Sequence, residues 1–156
     1  MQMSESQQAL LKHWSEFHLQ QGGLPSRKEF SLRALGRHVT HIAILDVKPN
    51  PLDFEYRLIG TTVVDHLHKD YTGVRLSMIP GKGPESRLWS FMRQTYEDGQ
   101  PHYFEVPYVG PKEGPEIVYT LYLPLASDHN HTDKIMIVPH YASRTAVIHV
   151  GLQPLH

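Results

Sequence analysis

The sequence contains no cysteine, and that absence excludes several kinds of chemistry together. Without a thiol the chain forms no disulfide, offers no thiolate nucleophile and supplies no thiolate ligand to a metal. An excess of charge is also missing, because 15 Lys and Arg stand against 16 Asp and Glu, for a net charge of −1. A balanced chain has no electrostatic footprint for nucleic acid or an anionic membrane, so neither is predicted as a partner.

Long apolar runs are missing as well. The longest, such as residues 135–138, fall far short of the ~18 residues that a membrane-spanning helix needs. The first residues lack the cationic and then apolar segments of a secretory signal. We therefore expect a cytoplasmic protein. Its 156 residues correspond to one domain of ordinary size, and a hydrophobic content of 40% is sufficient for a packed core.

The spacing of the apolar residues predicts an α+β domain. Leu10, Trp14 and Phe17 recur at helical spacing within a predicted helix over Ser4–Gln21, and a second long helix is predicted over 85–98. Between and after these helices the period changes to 2, which indicates strands over 41–47, 54–61, 102–109, 116–126 and 134–142. Phe54, Tyr56 and Leu58 are expected to share one face of their strand.

Several short motifs within this order of elements resemble the PAS domain, and more narrowly a bacterial family of short, stand-alone PAS proteins. They are Trp14 in the first helix, Leu24–Arg27, Ile44–Val47, Tyr56–Thr61 with its Arg-Leu-x-Gly-Thr pattern, and the Thr-Gly pair within Asp70–Gly73. The resemblance implies a five-stranded antiparallel sheet with helices on one face, plus an N-terminal helix. It divides the chain into a helical extension (1–38), a PAS-like domain (39–142) and a C-terminal tail (143–156).

PAS domains often hold a small molecule between the helices and the sheet, so the resemblance implies an apolar cavity here. Six side chains are candidates for its wall: Tyr56, Arg57, Trp89, Tyr103, Tyr119 and His140. Each has an alternative structural role. The aromatic rings also suit core packing, Arg57 suits a salt bridge, and His140 suits a hydrogen-bonded core position. The loop Gly81-Lys82-Gly83 lacks the spacing of a phosphate-binding loop, and no role is predicted for it.

The resemblance also allows the known PAS cofactors to be compared with the residues present. The blue-light flavin class forms its photoadduct with a cysteine, and another photoreceptor class holds its chromophore through a cysteine thioester, so both are expected to be excluded. Haem is disfavoured because the helix over 85–98 contains no histidine. An unidentified organic ligand, or no ligand, is expected instead. The pairs His66/His68 and His129/His131 are interpreted as surface imidazoles, and no metal site is predicted.

The leading functional hypothesis is a non-catalytic sensory or regulatory module in bacterial signalling. It would act through a separate signalling protein or a homodimer, with Leu10, Trp14 and Phe17 as the candidate dimer interface; the alternative is that these three residues pack on the domain's own sheet. Two other functions remain open. One is a small-molecule carrier, and the other is a small enzyme with a cone-shaped α+β fold, which would need a pair such as His140 and Asp46 in its cavity.

Overall fold

Five strands form one antiparallel sheet. The computed structural model describes residues 3–107 and 116–143. The strand order is β2-β1-β5-β4-β3, and every neighbouring pair is antiparallel. The strands are β1 (Ala43–Lys48), β2 (Asp53–Ile59), β3 (His102–Pro107), β4 (Glu116–Leu125) and β5 (Lys134–Ser143). The expected α+β architecture with five antiparallel strands is confirmed, whereas the predicted tail after residue 143 lies outside the described residues.

Within the described residues, four α-helices accompany the sheet: α1 (Glu5–Gln21), α2 (Leu32–Leu35), α3 (Thr61–Leu67) and α4 (Arg87–Asp98). Helix α1 begins at a reciprocal capping box between Ser4 and Gln7, and it ends at Gly22 in the left-handed conformation. Short 3₁₀ turns occupy Arg27–Phe30, Gly36–His41 and Leu76–Met78. None of the helices in the described part of the chain combines the length and apolar character needed to cross a membrane.

Helix α1 covers one face of the sheet. Leu10 and Trp14 are each only 3% exposed and belong to a core cluster with Leu121 and Leu123 of β4. The Trp14 indole N–H donates a hydrogen bond of 2.8 Å to the carbonyl of Pro124. Two of the three residues of the predicted dimer interface, Leu10 and Trp14, therefore pack on the domain's own sheet, where the indole ring is buried and its N–H has a partner.

The opposite face of the sheet is covered by α4 and by the segment before it. Trp89 and Met92 of α4 pack in a second cluster with Phe54 and Tyr122. Trp89 meets Phe54 edge to face, with ring centroids 5.1 Å apart. The sheet is thus buried on both faces by different helices, which accounts for the near-continuous apolar run of β5.

A β-bulge in β2 alters the alternation that the sequence predicts. The register pairs Ile44 with Leu58 but Leu45 with Tyr56, so Arg57 is an extra residue without a partner on β1. Tyr56 consequently packs in the α4-side cluster, whereas Leu58 packs in the α1-side cluster. The expectation that Tyr56 and Leu58 share a face is wrong because a bulge shifts the period by one residue.

Two of the motifs that carry the PAS resemblance contain a glycine in close contact with the backbone of another segment. A Cβ on Gly60 would lie 2.4 Å from the carbonyl oxygen of Val39, so only glycine fits where β2 ends. Gly73, at a φ of +85°, donates its N–H to the carbonyl of Tyr56 at 2.7 Å. The Thr-Gly turn is thereby attached to the outer edge of β2, directly beside Tyr56.

Candidate functional site

A cavity of about 230 Å³ lies on the α4 side of the sheet. It is enclosed by α3, the amino end of α4, the loop between residues 79 and 86, and strands β2 to β5. Most of its wall is aliphatic, contributed by Val63, Leu67, Leu88, Val106, Val118 and Ile137. Strand alternation explains the wall, because every second residue of β4 and β5 faces this side.

Of the described residues in this wall, Lys82 is the one buried cation. Its loop begins with an N–H···O=C bond of 3.0 Å from Lys82 to Ile79, and Ile79 is itself buried in the core. The turn draws the lysine inward, where it is only 7% exposed. Desolvation lowers the pKa of its ammonium group to about 8. Among the described residues, no carboxylate lies within ion-pair distance of Lys82 and no hydrogen bond satisfies its side chain.

Hydroxyl groups occupy the sheet side of the cavity. Tyr56 and Thr120 line it, and Tyr122 lies beyond them in the buried cluster. Burial raises the pKa of both tyrosines, so the two phenols stay protonated and serve as neutral hydrogen-bonding groups. The Tyr122 hydroxyl is buried within that cluster, beside Thr120.

The mouth of the cavity is formed where α4 begins. Ser86 is the N-cap of α4: its hydroxyl donates to the Gly83 carbonyl at 2.7 Å and accepts from the Trp89 N–H at 3.1 Å. Arg87 follows it and lines the cavity with its side chain partly in solvent. On the opposite rim, His66 of α3 stacks on Tyr141 of β5, with ring centroids 3.5 Å apart.

Of the six predicted cavity residues, the structure places only Tyr56 in the wall. Trp89 lies on the same side of the sheet but is used in packing against Phe54. Tyr103 and Tyr119 stack on each other, at 6.3 Å between centroids, on the α1 side, and His140 is the cross-strand neighbour of Tyr119. These residues lie away from the cavity described here, because sequence periodicity groups positions by face without saying which face holds a cavity.

Arg57, and the pair that the enzyme alternative would need, also lie away from the cavity. Arg57 is the exposed extra residue of the β2 bulge and does not reach the cavity. Asp46 is paired in register with Lys134, and their charged groups approach to 3.2 Å. Since His140 lies six residues further along the same strand, about 20 Å away at ~3.3 Å per residue, it and Asp46 form no dyad.

The histidines singled out as possible metal ligands have local partners. Nδ1 of His129 lies 2.9 Å from the Leu24 carbonyl, and Nδ1 of His131 lies 2.8 Å from the Asp128 carboxylate. Hydrogen bonds from His131 and Asn130 lower the pKa of that carboxyl group. Over the residues that the structure describes, no group of three or more acidic or histidine side chains is gathered to hold a metal.

The comparisons with known proteins assign the family. The chain matches the model of a PAS domain family over residues 2–138. It therefore belongs to the PAS domain family, as the sequence motifs suggested. Comparison with curated proteins finds no match. Among solved structures, a Rhodobacter sphaeroides LOV protein superposes with a TM-score of 0.53 at 12% identity, which covers 69% of this chain and 65% of that one.

That structural match corrects the cofactor prediction. The sequence prediction set the blue-light flavin class aside from the cysteine count alone, yet a LOV protein is among the proteins that share this fold. A missing thiol bears on adduct chemistry and does not decide which molecule a PAS cavity holds. At 12% identity the match establishes the common fold, and what the cavity binds has to be argued from its own residues.

Proposed function

We propose that this PAS domain is a non-catalytic sensory module that binds a small organic molecule in the cavity between α4 and the sheet. The observation that carries the proposal is the cavity itself, about 230 Å³ with an aliphatic wall. Ligand sites in proteins are concave and mostly apolar, with a few polar groups that fix the orientation of the ligand. Lys82, Tyr56 and Thr120 are those groups here.

The output of such a module would reach α1 through the sheet. Ile137 and Pro139 of β5 line the cavity, whereas Val138 between them faces α1. The buried Gln7 side chain donates to the Val138 carbonyl at 2.7 Å and to the Tyr119 carbonyl at 2.9 Å. A shift of β5 caused by a ligand would therefore act directly on α1.

A second copy of the chain or a separate signalling protein would then contact the outer surface of α1. Leu10 and Trp14 point into the core, so this contact would use outward residues such as Leu19, which is 83% exposed. The carrier hypothesis shares the cavity but requires no output. Hydrogen exchange distinguishes the two, because a sensor changes the exchange of α1 amides on ligand binding and a carrier leaves them unchanged.

A matched pair of tryptophan substitutions tests the cavity. Leu88→Trp fills the site from its α4 wall, and Leu19→Trp makes the same change on the exposed surface of α1. The probes are 3-phenylpropanoate and 3-phenylpropan-1-ol, and the binding of each to the full chain is measured by calorimetric titration. We expect one site for at least one probe in the wild type and in Leu19→Trp, and no binding in Leu88→Trp. Failure of the wild type to bind either probe, or unchanged binding in Leu88→Trp, would contradict the proposal.

A further inference from the structure

We infer that the cavity selects an organic anion, whose charged group pairs with Lys82 while its apolar body fills the aliphatic wall. The inference rests on the proposed function and specifies the chemical class of the ligand. It starts from the side chain of Lys82, which is 7% exposed and has no counter-charge among the described residues. A buried ammonium group without a partner is costly, and an incoming anion removes that cost.

The other charged and dipolar groups around the cavity favour the same sign of ligand. Of the described residues in its wall, Lys82 and Arg87 are charged and none is Asp or Glu. The amino end of α4 borders the cavity through Ser86 and Leu88, so the partial positive charge of that 12-residue helix faces the same space. A cationic ligand would meet repulsion from all three sources, and a neutral ligand would leave Lys82 without a counter-charge.

The size of the cavity restricts the anion to a small one. An apolar cavity of about 150 Å³ holds benzene. The 230 Å³ available here therefore suits a single ring, or an aliphatic chain of similar volume, with a short acidic arm. Tyr56 and Thr120 supply hydroxyl donors on the sheet side for a second oxygen of such a ligand.

Three probes of nearly equal shape test this inference: 3-phenylpropanoate, 3-phenylpropan-1-ol and 3-phenylpropylamine. They are titrated calorimetrically into the full chain at pH 7. A charge-assisted contact to a buried lysine corresponds to about 10- to 100-fold in affinity. We expect the wild type to bind the acid at least tenfold more tightly than the alcohol, and the amine most weakly.

Two lysine variants then test whether Lys82 causes the preference for the acid over the alcohol. Lys82→Met removes the charge from the cavity, and Lys12→Met removes one from an exposed site on α1. We expect Lys82→Met to lose the preference for the acid and keep its affinity for the alcohol, whereas Lys12→Met should match the wild type.

The results that would contradict the anion inference differ from those that would contradict the proposed function. Equal affinity of the wild type for acid and alcohol, or an undiminished preference in Lys82→Met, overturns the anion inference and leaves the proposed function standing. If the wild type binds neither the acid nor the alcohol, the anion inference and the proposed function are both overturned. Comparison of the three probes on the wild type needs no variant, so the inference stays testable if Lys82→Met does not fold.

Discussion

Replacing Lys82 with methionine should stabilise the domain, and the size of the effect follows from the burial of the ammonium group. An unfolded lysine has a pKa of 10.5, and desolvation lowers it to about 8 in the folded chain. At ~1.4 kcal/mol per pKa unit, burying the charged form therefore costs about 3 kcal/mol at pH 7. Methionine has a similar length and no charge, so Lys82→Met should raise the free energy of unfolding by about that amount.

The effect should shrink as the pH rises. Between about pH 8 and 10.5 the unfolded chain holds a proton on Lys82 that the folded chain has released, so the stability of the wild type increases with pH in this interval. The advantage of Lys82→Met should therefore fall from about 3 kcal/mol at pH 7 to about 1 kcal/mol at pH 9.5. Other groups facing the cavity, such as Tyr56, Arg87, His66 and Tyr141, are common to both proteins and cancel in the difference.

Urea unfolding followed by tryptophan fluorescence at pH 7, 8 and 9.5 measures this difference. Lys12→Met is the matched control, because its side chain is 78% exposed and its removal should change stability by under about 0.5 kcal/mol at any of these pH values. A wild type that is as stable as Lys82→Met at pH 7, or a difference independent of pH, would show that Lys82 carries no desolvation cost.

Five further substitutions test the packing that positions the site and the outer surface of α1. Gly60→Ala should destabilise the domain by about 2–4 kcal/mol in urea unfolding because its Cβ would meet the backbone at 2.4 Å, whereas Gly22→Ala should cost about 1 kcal/mol for its left-handed φ alone. Trp14→Ala should lower the free energy of unfolding by about 3–5 kcal/mol in the same assay. Light scattering of Leu19→Ser tests a different point, namely whether the outer surface of α1 is used in a dimer. Gln7→Leu should lower the thermal midpoint and increase hydrogen exchange in α1, since two strand carbonyls lose their donor; an unchanged midpoint would argue against these bonds.

The sequence predicted the fold further than it predicted the site. The helical spacing over Ser4–Gln21 is a local signal, and α1 confirms the helix that it predicted. The bulge at Arg57 was not foreseeable, because strand register depends on the partner strand.

The burial of Lys82 in the cavity wall was not predicted, because it too depends on contacts between distant parts of the chain. In sequence it is a polar residue between two glycines in a proline-containing loop, which is typical of a solvent-exposed turn. Its burial arises only because Ile79 is buried in the core and α4 begins at Ser86, which brings both ends of the loop against the sheet.

Three other buried polar side chains have hydrogen-bond partners within the fold, in contrast to Lys82. Gln7, fully buried, accepts from the Ser4 N–H at 3.0 Å and donates to two carbonyls. Asp53, 7% exposed, accepts from the Phe54 N–H at 2.8 Å and from the Ser77 hydroxyl. The buried Thr95 donates to the Phe91 carbonyl at 2.9 Å. Lys82, equally buried, faces a cavity instead of a partner. Because folded chains generally satisfy buried polar groups, a charged exception in the wall of a cavity is best explained by a function that supplies its partner from outside.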